Sequence, residues 1–333
     1  MILHLRSGNF RELVELSAHH YGYEQSHVEK DYWVSKILKE LAFSDFSGRI
    51  SFKGGTSLSK AYGLISRFSE DLDVFVYSGN PTSSKQSEKT LTRNISHFVI
   101  DKNKKMYVEE LSKTGGDFRK LVFSYDTHYE CAGLKENLEV EIKCCMLEDK
   151  SMMYYPMQKR QIQSIIAEYL QTTGLNNILT NFELDTFEVQ TIDPKRTLCD
   201  KISRLKKLSY NDDYEILIAK HIRDIYDISR MLNVSEYRDF ILSDEFTEAM
   251  QCVTNEDELH KNSQYHQYIS NARIFAETEK ILNLPAVFRA YNNELKQLMF
   301  EANTLPTLDE VIQNIQLLQQ PLCRLDEKYR SNL

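Results

Sequence analysis

The sequence predicts an α/β (α+β) core, a small mixed sheet flanked by helices, followed by a helical C-terminal domain. Three observations carry that prediction. Short β-prone segments, some alternating polar and apolar, recur up to about residue 192 and then stop. Helical periodicity runs on both sides of that point and dominates beyond it. Glycine (11) and proline (6) are scarce in 333 residues, too few for the turns of a many-stranded sandwich or propeller. The length accommodates two domains, and the boundary is placed between residues 192 and 193.

Residues 9–43 read as helix, with Phe10, Leu13 and Leu16 at helical spacing before a break near Gly22, and Trp33, Ile37, Leu38 and Leu41 after it. Ser26 followed by Glu29 has capping-box spacing, which predicts that a second helix starts at Ser26. Residues 50–52 read as strand, 57–66 as helix and 71–77 as strand. Residues 78–90, rich in Ser, Gly, Asn, Pro and Lys, read as loop. A helix over 90–112, strands over 120–125 and 138–146, a helix over 161–170 and a strand over 184–192 complete the first domain. In the 138–146 strand Leu138, Val140 and Ile142 alternate with Glu139, Glu141 and Lys143, so one face is apolar and the other charged. Helices over 197–207, 213–232 and 235–242, with several more after 270, make the second domain, punctuated by Pro285, Pro306 and Pro321.

Lysine and arginine total 41 against 49 acidic residues, a net charge of −8, which argues against a coat for long duplex DNA. None of Cys131, Cys144, Cys145, Cys199, Cys252 and Cys323 forms a CxxC pair, so no zinc site is expected and free thiols are. No run of about 18 apolar residues occurs, and the N-terminus turns polar too early for a signal peptide. The expectation is a cytoplasmic protein without membrane partners.

The chemistry concentrates in residues 52–77. A short strand ends at Lys53-Gly54-Gly55-Thr56-Ser57, where glycines let backbone approach an anion, hydroxyls follow and a helix begins. That pattern predicts a phosphate cradle. Asp71 and Asp73 follow on a strand, where residues i and i+2 share a face. Two adjacent carboxylates repel unless a cation joins them, and Mg2+ (or Mn2+) favours oxygen ligands shared with phosphates. A third carboxylate is wanted for two-metal phosphoryl transfer. Glu141, mid-strand, is preferred, with Glu139 as the rival. Lys201 is a candidate phosphate-neutralising cation, in a stretch with Lys195, Arg196, Arg204, Lys206 and Lys207 that predicts a local basic patch. Asp224 and Asp227 share a helix face, and Asp224 is the candidate partner of Lys201. Glu29 and Asp31, beside Lys30, read as braces of the core.

Four motifs in order resemble the AbiEii/AbiGii-type nucleotidyltransferase toxins of the DNA polymerase β-like superfamily. They are His27 to Val34 (HVEKDYWV), Lys53 to Ser59 with Arg67 to Asp73 (KGGTSLS, RFSEDLD), Thr197 to Ile202 (TLCDKI) and Arg223 to Ile228 (RDIYDI). The similarity spans about residues 27–230, and Asp200 stands where relatives often carry Glu. It implies a polymerase β-like core. It also implies a Mg2+-dependent toxin of a type IV toxin–antitoxin or abortive-infection system, with NTP as substrate, an antitoxin partner and tRNA as the favoured acceptor. Residues Lys53, Gly54, Gly55, Thr56 and Ser57 would bind nucleotide. Asp71, Asp73 and Glu141 would hold metal, with Lys201 and Asp224 as further catalytic residues. Transfer to a protein or an aminoglycoside-like small molecule, or an inert nucleotide-binding module, are the other readings.

Overall fold

The computed structural model describes residues 2–77, 85–116, 118–129, 133–144, 156–259 and 269–331. Cys131, Cys145, Tyr154, Tyr155 and part of the expected 78–90 loop lie outside these residues. The chain folds as two compact units. The first comprises residues 2–144 and 157–192, the second Pro156 with residues 193–331. Among the described residues no helix is long and apolar enough to cross a membrane.

The first unit opens with helices α1 (Ser7–Tyr21) and α2 (Gln25–Ala42). Then come β1 (Ile50–Lys53), α3 (Gly54–Lys60), β2 (Asp71–Val76), α4 (Lys85–Lys102), β3 (Phe118–Phe123) and β4 (Leu138–Cys144). Strand β5 (Met157–Ile162), helices α5 (Ile165–Thr172) and α6 (Asn176–Asn181) and strand β6 (Phe187–Ile192) close it. The six strands form one mixed sheet in the order β3-β4-β2-β1-β6-β5. Pairs β1/β2, β3/β4 and β5/β6 are antiparallel, and β2/β4 and β1/β6 are parallel. Phe52 on β1, Leu72 and Val74 on β2 and Val140 and Ile142 on β4 are buried. Helices α2 and α4 pack against these strands. The alternate residues Lys53, Asp71, Asp73, Glu139 and Glu141 are only half-buried. Period two therefore separates a core face from a polar face.

Helices α2 and α4 and strand β5 are among the elements that differ from the sequence expectation. Helix α2 begins at Gln25 without a side-chain cap, because Glu29 is spent elsewhere: its carboxylate accepts from Thr127 Oγ1 (2.9 Å) and the His128 amide (3.1 Å). Strand β5 occupies residues expected to lead into a helix. It is an edge strand paired only with β6, so Met-Gln-Lys-Arg-Gln-Ile shows no apolar alternation, and the helix waits for the Ser164 cap, which accepts from the Ala167 amide. Helix α4 starts at Lys85 and ends at Lys102, five residues earlier at the start and ten earlier at the end than expected.

Glu29, Lys30 and Asp31 are consecutive, charged and buried. Each ties α2 to a different segment. Glu29 holds residues 127–128, as above. Lys30 Nζ donates to Glu70 Oε2 (2.9 Å) and to the Lys135 carbonyl. Asp31 accepts from the Ile165 amide at the start of α5 (2.7 Å) and pairs with Lys60 of α3. Buried charges survive only when paired, so these residues determine where the loops around β2 and β4 lie.

The second unit is helical: α7 (Pro194–Ser209), α8 (Tyr214–Lys220), α9 (Ile222–Leu232), α10 (Ser235–Ile241), α11 (Asp244–Leu259), α12 (Arg273–Ala276), α13 (Thr278–Leu282), α14 (Pro285–Arg289), α15 (Leu308–Gln316) and α16 (Gln319–Ser331). Helix α7 starts sharply. Pro194 fills its first turn, and the Asp193 side chain accepts from the Lys195 amide (2.9 Å). Helices α8, α9, α11 and α12 pack around it. Asp326 on α16 accepts from the amides of Ile269 (2.9 Å) and Ser270 (2.8 Å), tying the last helix to the segment before α12.

His27 yields a pH prediction. Its ring stacks on Phe68 (centroids 4.8 Å apart), and its buried Nε2 has no hydrogen-bond partner among the described residues. Burial lowers its pKa from 6.5 to about 4. The unfolded chain therefore takes up a proton that the folded protein refuses between those values. This contribution to stability is intact above pH 6.5, erodes as pH falls, and is gone near pH 4, a loss of about 3 kcal/mol. The His27→Phe protein should gain on wild type by that amount between pH 7 and pH 4 in urea unfolding. Parallel pH profiles for the two proteins would refute the assignment.

Candidate functional site

Cross-strand register assembles the site on the polar face of the sheet. Lys53 of β1 lies abreast of Asp73 of β2, Asp73 of Glu141 of β4, and Glu141 of Lys120 of β3. The row reads Lys–Asp–Glu–Lys. One step along, Asp71 lies abreast of Glu139. The four carboxylates that the sequence offered as metal ligands, Asp71, Asp73, Glu141 and its rival Glu139, thus occur together on two neighbouring parallel strands.

Positive charge compensates them unevenly. Lys120 Nζ pairs with Glu139 Oε1 (2.5 Å). Lys135, from the segment before β4, bridges Asp71 Oδ1 (2.8 Å) and Glu139 Oε2 (2.6 Å). Burial opposes the charge on Lys135, but Asp71 and Glu139 outweigh it and raise its pKa. Glu139 feels the same contest: burial favours its acid form, and the two lysines still hold its pKa below the ordinary glutamate value. Glu141 makes no ion pair among the described residues. Of the two rivals, Glu139 is committed to lysines and Glu141 is available to another cation.

The Gly-Gly turn fits closely against the same row. Gly54 adopts φ +78°, and a Cβ placed on it would stand 1.9 Å from Asp73 Oδ2 and 2.8 Å from Asp73 Cγ. No side chain is compatible with that position while Asp73 keeps its place. Helix α3 is only two turns long, shorter than the sequence pattern suggested. The hydroxyls of the turn bond inward: Thr56 Oγ1 donates to the Asp71 carbonyl and accepts from Ser69 Oγ (2.9 Å), and Ser57 Oγ donates to the Gly54 carbonyl (2.9 Å). Thr56 thereby joins the turn to the first residue of the acidic strand.

In the second unit, Lys201 of α7 is buried between two carboxylates of α9. Its Nζ lies 2.6 Å from Asp224 Oδ1 and 2.8 Å from Asp227 Oδ2, and Arg204 Nη1 lies 3.1 Å from Asp224 Oδ2. Burial pushes the Asp224 pKa up, but Lys201 and Arg204 overcome it and hold the carboxyl well below its usual range. The basic stretch around Lys201 is largely spent within this unit rather than forming an open patch. Lys195 pairs with Glu245 (3.0 Å), Arg196 pairs with Asp200 and Glu256 (2.8 Å each), and Lys206 is buried.

Sequence reasoning missed Lys135 and gave no role to Glu70. Glu70 offered a signal, since it adjoins Asp71 within the RFSEDLD motif. Lys135 offered none, because it sits on no periodic element and meets Asp71 only through the fold. A cavity of about 490 Å3 lies elsewhere in this unit, lined by Lys36, Lys39, Phe98 and Phe187 among others and by none of the acidic row.

The donor set tests well for a hard divalent cation: carboxylate oxygens from adjacent strands, beside a turn from which side chains are excluded. Among the described residues no group of three or more His, Cys, Asp or Glu side chains is placed to hold a metal ion. A mixed sheet carrying Asp-x-Asp beside a Gly-Gly turn, with more carboxylates on the next strand, is a nucleotidyltransferase arrangement. The family model for the nucleotidyl transferase AbiEii toxin of type IV toxin–antitoxin systems matches residues 36–314, and the chain belongs to that family. No curated protein matches the sequence.

Gly54→Ala tests the packing of turn against strand. The variant should lose at least about 100-fold in nucleotidyl transfer, because Asp73 must move by an ångström or more. It should also lose about 1–3 kcal/mol in stability. That stability loss should shrink in an Asp73→Ala background, where the colliding carboxylate is gone. An equal loss in both backgrounds, read by urea unfolding, would show that Asp73 is not what excludes the side chain.

Proposed function

We propose that the protein transfers a nucleoside monophosphate from an NTP to an acceptor hydroxyl, releasing pyrophosphate, with the tRNA 3′ end as acceptor. The observation that carries this reading is the row of Asp71, Asp73 and Glu141 against the Gly54 turn. In it, Asp71, Asp73 and Glu141 hold Mg2+ (Mn2+ serving equally), and the bound metal supplies charge neutralisation at the reacting phosphate. The segment Lys53, Gly54, Gly55, Thr56 and Ser57 binds the triphosphate, and the excluded side chain at Gly54 supports a close approach of its backbone. Glu141, which makes no ion pair among the described residues, accepts the proton of the attacking hydroxyl. Glu139, tied to Lys120 and Lys135, orders the lysines around the site rather than the metal. Lys201 is the family motif's candidate cation for phosphate charge, and Asp224 orients its ammonium within the second unit. The 2.6 Å Lys201–Asp224 pair supports that second assignment. The choice of tRNA, and the cognate antitoxin expected of a type IV system, rest on the family.

Label transfer tests the reading. Purified protein, Mg2+ and each α-labelled NTP in turn are mixed with cellular RNA or with protein lysate. Label should enter a tRNA-sized band from one preferred NTP. It should fall at least about a thousandfold, equivalent to about 4 kcal/mol of transition-state stabilisation, in the Asp71→Ala/Asp73→Ala protein. The Lys201→Ala protein should be less stable than wild type, because Asp224 and Asp227 lose the ammonium that lies between them. Label in protein, or in a small aminocyclitol acceptor, would replace the acceptor and keep the chemistry. Full transfer by the double aspartate variant would overturn the proposal.

A further inference from the structure

Lys135 has two separable attachments. Its main chain is part of the buried brace: the amide donates to Glu70 Oε2 (2.7 Å), and the carbonyl accepts from Lys30 Nζ. Its side chain goes to the acidic row, with Nζ 2.8 Å from Asp71 Oδ1 and 2.6 Å from Glu139 Oε2. The backbone is thus anchored to a fully buried ion pair, while the side chain is 40% exposed and carries a flexible four-carbon stem.

We propose that Lys135 is an internal counter-cation. A divalent ion must displace it from Asp71, and the triphosphate then receives the displaced ammonium, so that metal and nucleotide bind cooperatively. The inference rests on the reading that Asp71 and Asp73 hold a divalent ion. The physical chain is short. Asp71 Oδ1 already lies at hydrogen-bonding distance from a full positive charge. A Mg2+ ligand must come within about 2.1 Å of the metal, which would set an ammonium and a dication against the same oxygen. Like charges at such separation repel strongly in a half-buried site. A divalent ion taken at Oδ1 would therefore displace the ammonium.

Its departure leaves Glu139 compensated, because Lys120 remains 2.5 Å from the other oxygen. The departing ammonium has no such provision. With metal alone it loses two carboxylates and gains a dication as neighbour. With a triphosphate present it gains anionic oxygens as partners. The ligand that rewards the movement is the nucleotide, and thermodynamic reciprocity then requires each ligand to tighten the other. No bond is made or broken in this exchange of partners.

The test measures Mn2+ binding by EPR or calorimetry, alone and with a non-hydrolysable NTP analogue. The proteins compared are wild type, Lys135→Met, Lys135→Arg, Asp71→Asn and Asp73→Asn. Lys135→Met should bind Mn2+ alone at least tenfold more tightly than wild type. The tightening caused by the analogue should shrink by a similar factor. Lys135→Arg should keep the wild-type pattern, since it keeps the competing charge. Because the backbone carries the structural anchor, the melting temperatures of the two Lys135 variants should stay near wild type; if Lys135→Met does not fold, Lys135→Gln takes its place. Equal Mn2+ affinity in Lys135→Met and wild type, with binding still lost in Asp71→Asn, would overturn the counter-cation role and leave the metal site standing. Absence of Mn2+ binding in wild type, with or without the analogue, would sink the metal-site reading and this inference with it.

Discussion

Carboxylates set side by side on one sheet face repel one another, and much of the first unit answers that repulsion. Asp71, Asp73, Glu139 and Glu141 occupy adjacent positions on β2 and β4. The strands stay together because their other face is buried: Leu72, Val74, Val140 and Ile142 are all within 1% of full burial. The charges on the polar face are met by Lys120, Lys135 and, across the row, Lys53. Apolar burial is therefore concentrated on one side of the sheet and charge on the other, with a single strand period between them.

The second line of control runs through α2. Three successive buried charges, each satisfied by a different part of the chain, allow very little freedom of register. If the helix rotated by one residue, Glu29 would leave the 127–128 segment, Lys30 would leave Glu70 and Asp31 would leave the start of α5. Buried ion pairs add little net stability, but losing one partner strands the other at a cost of about 3–5 kcal/mol. The arrangement selects one geometry for the segments flanking Asp71 more than it strengthens the fold.

The acidic strand and the glycine turn were legible in the sequence because each rests on local periodicity or local backbone chemistry. The Asp-x-Asp spacing alone implies a shared face. Strand β5 was not legible, since an edge strand with two solvent-facing sides loses the alternation that marks a strand. The false cap at Ser26–Glu29 arose from the opposite problem: a valid local pattern was overridden by a tertiary partner for Glu29. The spread of basic residues along α7 looked like a surface patch because the sequence does not show that Glu245, Glu256, Asp224 and Asp227 lie within reach. Lys135 was invisible for the same reason.

The contact between Gly54 and Asp73 has a consequence for how this sequence can vary. The two positions are separated by 18 intervening residues, yet they share one volume: the side chain present at 73 occupies the space that a side chain at 54 would need. A lineage cannot explore residue 54 while Asp73 is kept, and the order of loss is thereby constrained. A descendant that loses the aspartate gains the space for a side chain at 54 but keeps the left-handed backbone there (φ +78°), which still favours glycine, whereas one that fills the turn first must displace the aspartate at the same step. A side chain at position 54 therefore marks a sequence in which the side chain at 73 has been shortened or moved aside.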